Sequence, residues 1–432
     1  MSRVWCIVLL VFGVVFGGCL AAEPGQQFRG YGKVQRAVST AVFRVGGAVY
    51  PDGYFFVKVF IGNPPKPYYL DVDTGSDLTW VQCDAPCVNC PKGPHDPYKP
   101  RNNVVRCHEP LCAFIPHPEN YPCRDRADQC DYEIQYADSG LSTGVLVKDY
   151  FPIQLLNGSV LNSFISFGCG YDQNIPGSSH PPFVDGVLGL ACGKSSILSQ
   201  LSSRGVIRDV FGHCFSKKGG GYLFFGDDMV PSTGMVWAPM LQNKAEKHYS
   251  IGPIELLFDG KNIVKGGQPL IFDSGSTYTY FNGLAYKSLV SMIMKSMNKE
   301  QLKDAPEDRT LPLCWKGAQF FKSTSDVKSL FQPLVLRIKK NIVMEIPPEA
   351  YLIISKKGNV CLGILDGSEV QLSNLNVLGD ISLQDKLVIY DNVKKRIGWM
   401  SASCETLPNT DHDYLKATSL SLSISKDLYD EL

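Results

Sequence analysis

Asp73-Thr74-Gly75-Ser76 and Asp273-Ser274-Gly275-Ser276 are two copies of one four-residue signature, 200 positions apart. Each sets an aspartate beside a glycine that is flanked by hydroxyl residues. A single Asp-Thr/Ser-Gly says little, because aspartate, serine and glycine all favour turns. Two copies in matching contexts say much more. Both follow a strand-like apolar run, Tyr69-Leu70-Asp71-Val72 and Pro269-Leu270-Ile271-Phe272. Two carboxylates held face to face cannot both ionise, so they share a proton and form an acid/base pair. One can then take a proton while the other donates one.

The rest of the chain repeats in step with the signature. Leu188-Gly189 follows Asp73 by 115 residues, inside Gly186-Val187-Leu188-Gly189-Leu190. Leu378-Gly379 follows Asp273 by 105 residues, inside Asn376-Val377-Leu378-Gly379-Asp380. An apolar strand ending in glycine lets another backbone approach closely. With these motifs the chain resembles the pepsin-like aspartic proteases, from about Tyr54 to Cys404. The run DVDTGSDLTWVQCDAPCVNC, residues 71–90, is similar to the nucellin-like and nepenthesin-type plant group. The resemblance implies an all-β, bilobal fold with a central cleft.

Length and composition agree. A chain of 432 residues exceeds one ordinary core. Lys+Arg and Asp+Glu are 42 each, so net charge is zero and nothing points to a nucleic-acid partner. Arg3 and the apolar run that follows it read as a secretory signal peptide over residues 1–22. That places the protein in the secretory pathway, bound for the cell exterior or the vacuole, with no stable membrane insertion once the signal is removed. The C-terminal Tyr429-Asp430-Glu431-Leu432 lacks the lysine of an ER-retrieval signal. Residues 23–48 form a basic leader, either a short prosegment over an acidic cleft or a segment without regulatory role. The first lobe is set at 49–230, the second at 231–404, and a polar tail at 405–432.

Two of the 15 cysteines lie in the signal segment, which leaves an odd number for an oxidising compartment. Cys192 is taken as the unpaired one. Seven cysteines crowd into 83–130, which reads as a loop-rich insertion stapled by disulfides. The spacing of Cys83, Cys87 and Cys90 also suits zinc, but the surplus of cysteines favours bridges, and neither a metal nor a cofactor is assigned. Asn157-Gly158-Ser159 is a glycosylation sequon. Strand-like residues run from Tyr132 into the turn signal Asp138-Ser139-Gly140 and out again from Val145, a hairpin that could act as a lid.

The resemblance assigns roles residue by residue. Asp73 and Asp273 are the catalytic dyad. Ser76 and Ser276 hydrogen-bond the outer carboxylate oxygens. Thr74 and Ser274 tie the two turns together, and Gly75 and Gly275 permit the turns and the approach of substrate. The hairpin is the flap, with Tyr136 as its tyrosine, Asp138 at its tip and Trp80 as the tyrosine's hydrogen-bond donor. Cys314 and Cys361 form a disulfide. The expected activity is acidic endoproteolysis of protein or peptide substrates by a monomer, with hydrophobic residues preferred around the scissile bond. The competing expectation is a catalytically inactive binding or inhibitor protein on the same fold.

Overall fold

The computed structural model describes residues 40–407, apart from 89, 91, 121–122, 138, 175–183, 242–246, 264–266, 340, 371 and 373. The signal segment, most of the leader, the Asp138 flap tip and nearly all of the tail lie outside the described residues.

Alternating side chains drive the first strands together. The strands β1 (Ala41–Ala48), β2 (Tyr54–Ile61) and β3 (Lys66–Asp73) pair in sequence order. Phe55, Val57, Val59 and Ile61 of β2 point into the core, as do Tyr68, Leu70 and Val72 of β3. This period of two commits one sheet face to the interior. Residues 41–48, placed in the leader by sequence, form β1, held between β2 and the strand Gly221–Phe225.

Four more strands follow in the first half: β4 (Trp80–Gln82), β5 (Asp131–Gln135), β6 (Leu141–Gln154) and β7 (Val160–Asn174). The strand β8 (Gly186–Gly189) runs parallel to β3 and antiparallel to β4, and so sits between them. The second half repeats this arrangement. The strand Leu270–Phe272 runs parallel to Asn376–Leu378, and Tyr280 pairs antiparallel with Val377. Trp80 and Tyr280 each stand seven residues beyond their aspartates, so the two aspartate turns are structural equivalents.

The halves do not separate cleanly at residue 230. Strands Lys386–Asp391 and Arg396–Ser401 return to join Val210–Phe215, so one sheet of thirteen described strands draws on both halves. Its shared region is packed with aromatics: Phe55 stacks on Phe215 at 4.4 Å and Phe211 on Tyr390 at 4.5 Å. The Cys214–Cys404 disulfide fastens the same region. Helix α1 (Gly283–Ser296) covers the second half with Ala285, Leu289 and Ile293, one buried face at a spacing of four. The Asn282 side chain caps it by accepting from the Ala285 N–H at 3.2 Å.

The cysteine-rich insertion is stapled by Cys83–Cys169, Cys87–Cys90, Cys107–Cys123 and Cys112–Cys130. The three cysteines with zinc-like spacing are thus taken up in two bridges. Cys314 is bonded to Cys361, and Cys192 is free and exposed. Asn157 lies exposed between β6 and β7, its Oδ1 accepting from the Ser159 N–H at 3.0 Å.

Candidate active site

Asp73 ends β3, and Asp273 follows Leu270–Phe272 at the equivalent place. Each carboxyl is bound by its own turn. Asp73 Oδ1 accepts from the N–H groups of Gly75 (2.7 Å) and Ser76 (3.2 Å), and its Oδ2 from the Ser76 hydroxyl. Asp273 Oδ1 accepts from the Gly275 N–H at 3.0 Å, and its Oδ2 from the Ser276 hydroxyl at 2.9 Å. The two carboxyls are close enough to perturb each other. Glycine is required at both turns for a steric reason. A Cβ on Gly75 would lie 2.5 Å from Asp273 Oδ1, and one on Gly275 would meet the Asp73 carboxyl. The turn glycines thus make room for the opposite aspartate.

Thr74 and Ser274 lock the turns to each other. The Thr74 hydroxyl donates to the Phe272 carbonyl (2.9 Å) and accepts from the Ser274 N–H (3.0 Å). The Ser274 hydroxyl donates to the Val72 carbonyl (2.5 Å) and accepts from the Thr74 N–H (3.1 Å). All four bonds are buried and cross between the halves, so each satisfied group fixes the position of the other aspartate. A second link joins Asp77 Oδ2 to Ser195 Oγ and, at 2.8 Å, to Lys247 Nζ.

The flap hairpin is β5 and β6, closed by the Tyr136 N–H donating to the Gly140 carbonyl at 2.8 Å. Trp80 Nε1 donates to the Tyr136 hydroxyl at 2.7 Å, which holds the tyrosine over the wall formed by β4 and β8. The sequence-predicted dyad, its bracing hydroxyls, Trp80 and Tyr136 are therefore together. Asn157, Cys314 and Cys361 belong to other parts of the molecule.

Burial pushes both dyad carboxyls up, and the charge of Asp273 adds to the effect on Asp73. The Ser76, Gly75, Ser276 and Gly275 bonds pull the other way, because they favour the ionised forms. Two further acids belong to the cluster and were not singled out by motif. Asp71 and Asp380 are both raised well above the ordinary range, first by burial and then by neighbouring carboxyls. Both Asp380 oxygens and Asp71 Oδ1 are enclosed without a hydrogen-bond partner. An aspartate inside an apolar strand was the visible sign of Asp71. Buried His213 Nε2 lies 3.1 Å from the Tyr390 hydroxyl. Their separation of 177 residues left no local signal.

Comparison with known proteins agrees with this architecture. Residues 55–227 match the family model described as xylanase inhibitor N-terminal, and residues 246–401 the one described as xylanase inhibitor C-terminal. The chain belongs to the pepsin-like aspartic protease family, in its atypical plant group. It is 46% identical over 386 residues to an aspartic proteinase of Oryza sativa subsp. japonica, covering 86% of this chain and 93% of that protein. It is 28% identical to nepenthesin-1 of Nepenthes gracilis, covering 82% of this chain and 78% of that one. Among solved structures, soybean basic 7S globulin superposes with a TM-score of 0.66 at 16% identity, over 87% of this chain and all of that one. An aspartic proteinase from Irpex lacteus gives 0.61 at 17% identity, over 85% of this chain and 98% of that one. At these identities the two structures speak to fold alone.

Proposed function

We propose that this protein is an acid-active aspartic endopeptidase in which Asp73 and Asp273 act as one proton-sharing pair. The observation that carries this reading is the matched pair of aspartate turns, each carboxyl held by equivalent N–H and hydroxyl donors and packed against the other turn's glycine. With one proton on the pair, the ionised carboxylate activates water and the protonated partner donates to the scissile carbonyl. Titration belongs to the pair, so activity requires a pH between its two macroscopic values. Tyr136, positioned by Trp80, closes over the peptide and excludes bulk water.

The family description favours a second reading, a non-catalytic inhibitor on the same fold. Intact carboxyls and bracing hydroxyls argue for catalysis, since a binding surface has no need of a buried acid pair. Residues 1–22 as a secretory signal and glycosylation of Asn157 belong to the same proposal, with export to the cell exterior or vacuole. The test is cleavage of a denatured protein from about pH 3 to 7, which brackets carboxylate titration. Acid activity that disappears in Asp73→Asn and with pepstatin supports the peptidase. A folded, processed protein without activity supports the inhibitor.

A further inference from the structure

The two halves of the cleft are built alike, but the residues flanking the dyad differ. Asp71 stands two before Asp73, and Ile271 two before Asp273. Strand alternation puts each on the same face as its aspartate. Each also pairs with the equivalent residue of its bracing strand, Asp71 with Val187 and Ile271 with Val377. On β3 the core side is Tyr68, Leu70 and Val72, all buried, whereas Tyr69 and Asp71 are only partly so. Phe56 and Val187, the register partners of Asp71, are also partly open. This open face ends on Asp73 and continues from Val187 to Trp80 and so to Tyr136. Asp71 therefore lines the wall between the dyad and the flap.

Isoleucine in the same place in the other half shows that the fold does not need a carboxyl there. The carboxyl also has poor company. Its Oδ1 is enclosed without a partner. Asp73 and Asp273 act on it, and it acts in turn on Asp380 and Tyr136; none of these is a cation. Lys58 on β2 lies opposite Tyr69 and sets its ammonium 5.7 Å from the Phe60 ring.

We infer that Asp71 is a specificity-determining residue that seats a lysine or arginine side chain on one side of the scissile bond, while Ile271 seats an apolar side chain on the other. The inference rests on the peptidase reading, and it amends the expectation of hydrophobic residues on both sides. Burial and the neighbouring carboxyls favour the protonated form of Asp71. An arriving ammonium favours the carboxylate, any proton on it passing to solvent, and forms a charge-assisted hydrogen bond to it.

The test uses peptides that differ only by lysine or norleucine, placed in turn on each side of the cleaved bond. A matching set carries an uncleavable hydroxyethylene group in place of that bond. Wild-type protein, Asp71→Ile and Asp71→Asn are compared by kcat/KM and, with the uncleavable set, by calorimetric Kd. Melting curves certify folding, and Asp71→Asn decides if Asp71→Ile does not fold. The expected result is a lysine preference of roughly 10- to 100-fold on one side only, the range for a hydrogen bond to a charged group. It should collapse in both variants, with the ratio on the other side unchanged. No lysine preference in wild type, or the same preference in the folded variants, overturns the assignment. A change confined to the pH profile overturns it as well. If nothing is cleaved but the Kd ratio still depends on Asp71, the peptidase reading fails and Asp71 remains a cation-binding residue.

Discussion

His213 makes acid stability calculable from one side chain. It is fully buried, and burial pushes its pKa down from 6.5 to about 3. Below pH 6.5 the unfolded chain takes up a proton at this position that the folded protein refuses. Stability is therefore complete above the unfolded value and is lost as pH falls from 6.5 toward 3. Linkage with these two values gives a loss of about 3 kcal/mol at pH 4, against a few tenths at pH 7. His213→Phe can keep the stack on Phe215, now at 4.2 Å, and removes the titration. His213→Gln keeps a polar group near Tyr390. Either variant pays a packing or hydrogen-bond cost, but that cost is the same at both pH values and cancels. Urea unfolding of oxidised wild type and variants at pH 4 and pH 7 measures the difference. Relative to wild type, each variant should gain about 3 kcal/mol on going from pH 7 to pH 4. Carboxylates titrate in the same range but are common to all three proteins. Parallel stability–pH curves would refute the argument and mean that His213 protonates inside the fold.

Other substitutions probe the site itself. Thr74→Val strips partners from the buried Ser274 N–H and Phe272 carbonyl, which should cost roughly 2–5 kcal/mol, whereas Thr74→Ser should cost under about 1. Equal melting temperatures for the two variants would show that the bonds contribute nothing. Ser76→Ala removes a bond that favours ionised Asp73, so the pair's pKa rises and the ascending acid limb of kcat/KM should move up by about one unit. A downward shift would contradict the sign. Trp80→Phe frees the Tyr136 hydroxyl and should lower kcat/KM roughly 5- to 10-fold, as for the loss of one hydrogen bond. Unchanged kinetics on a peptide substrate would remove Trp80 from flap positioning.

Much of this protein was determined locally. Asp-Thr/Ser-Gly-Ser needs only a short turn to bring its own N–H groups and hydroxyl onto its aspartate, so both dyad members and their braces could be read from four residues each. Alternation committed β2 and β3 to one buried face, and the repeated apolar-apolar-Gly announced the strands that support both turns. Long-range partnership could not be read this way. Nothing near Ala41 says that residues 41–45 pair with Gly221–Phe225, and nothing near Lys386 says that it returns to the first half. Nor could one segment show that Asp71, an aspartate in an apolar strand, ends up beside two other carboxyls, or that His213 lies under Tyr390. Turn chemistry is set by neighbours in sequence, whereas burial and charge are set by neighbours in space, and only the folded chain chooses those.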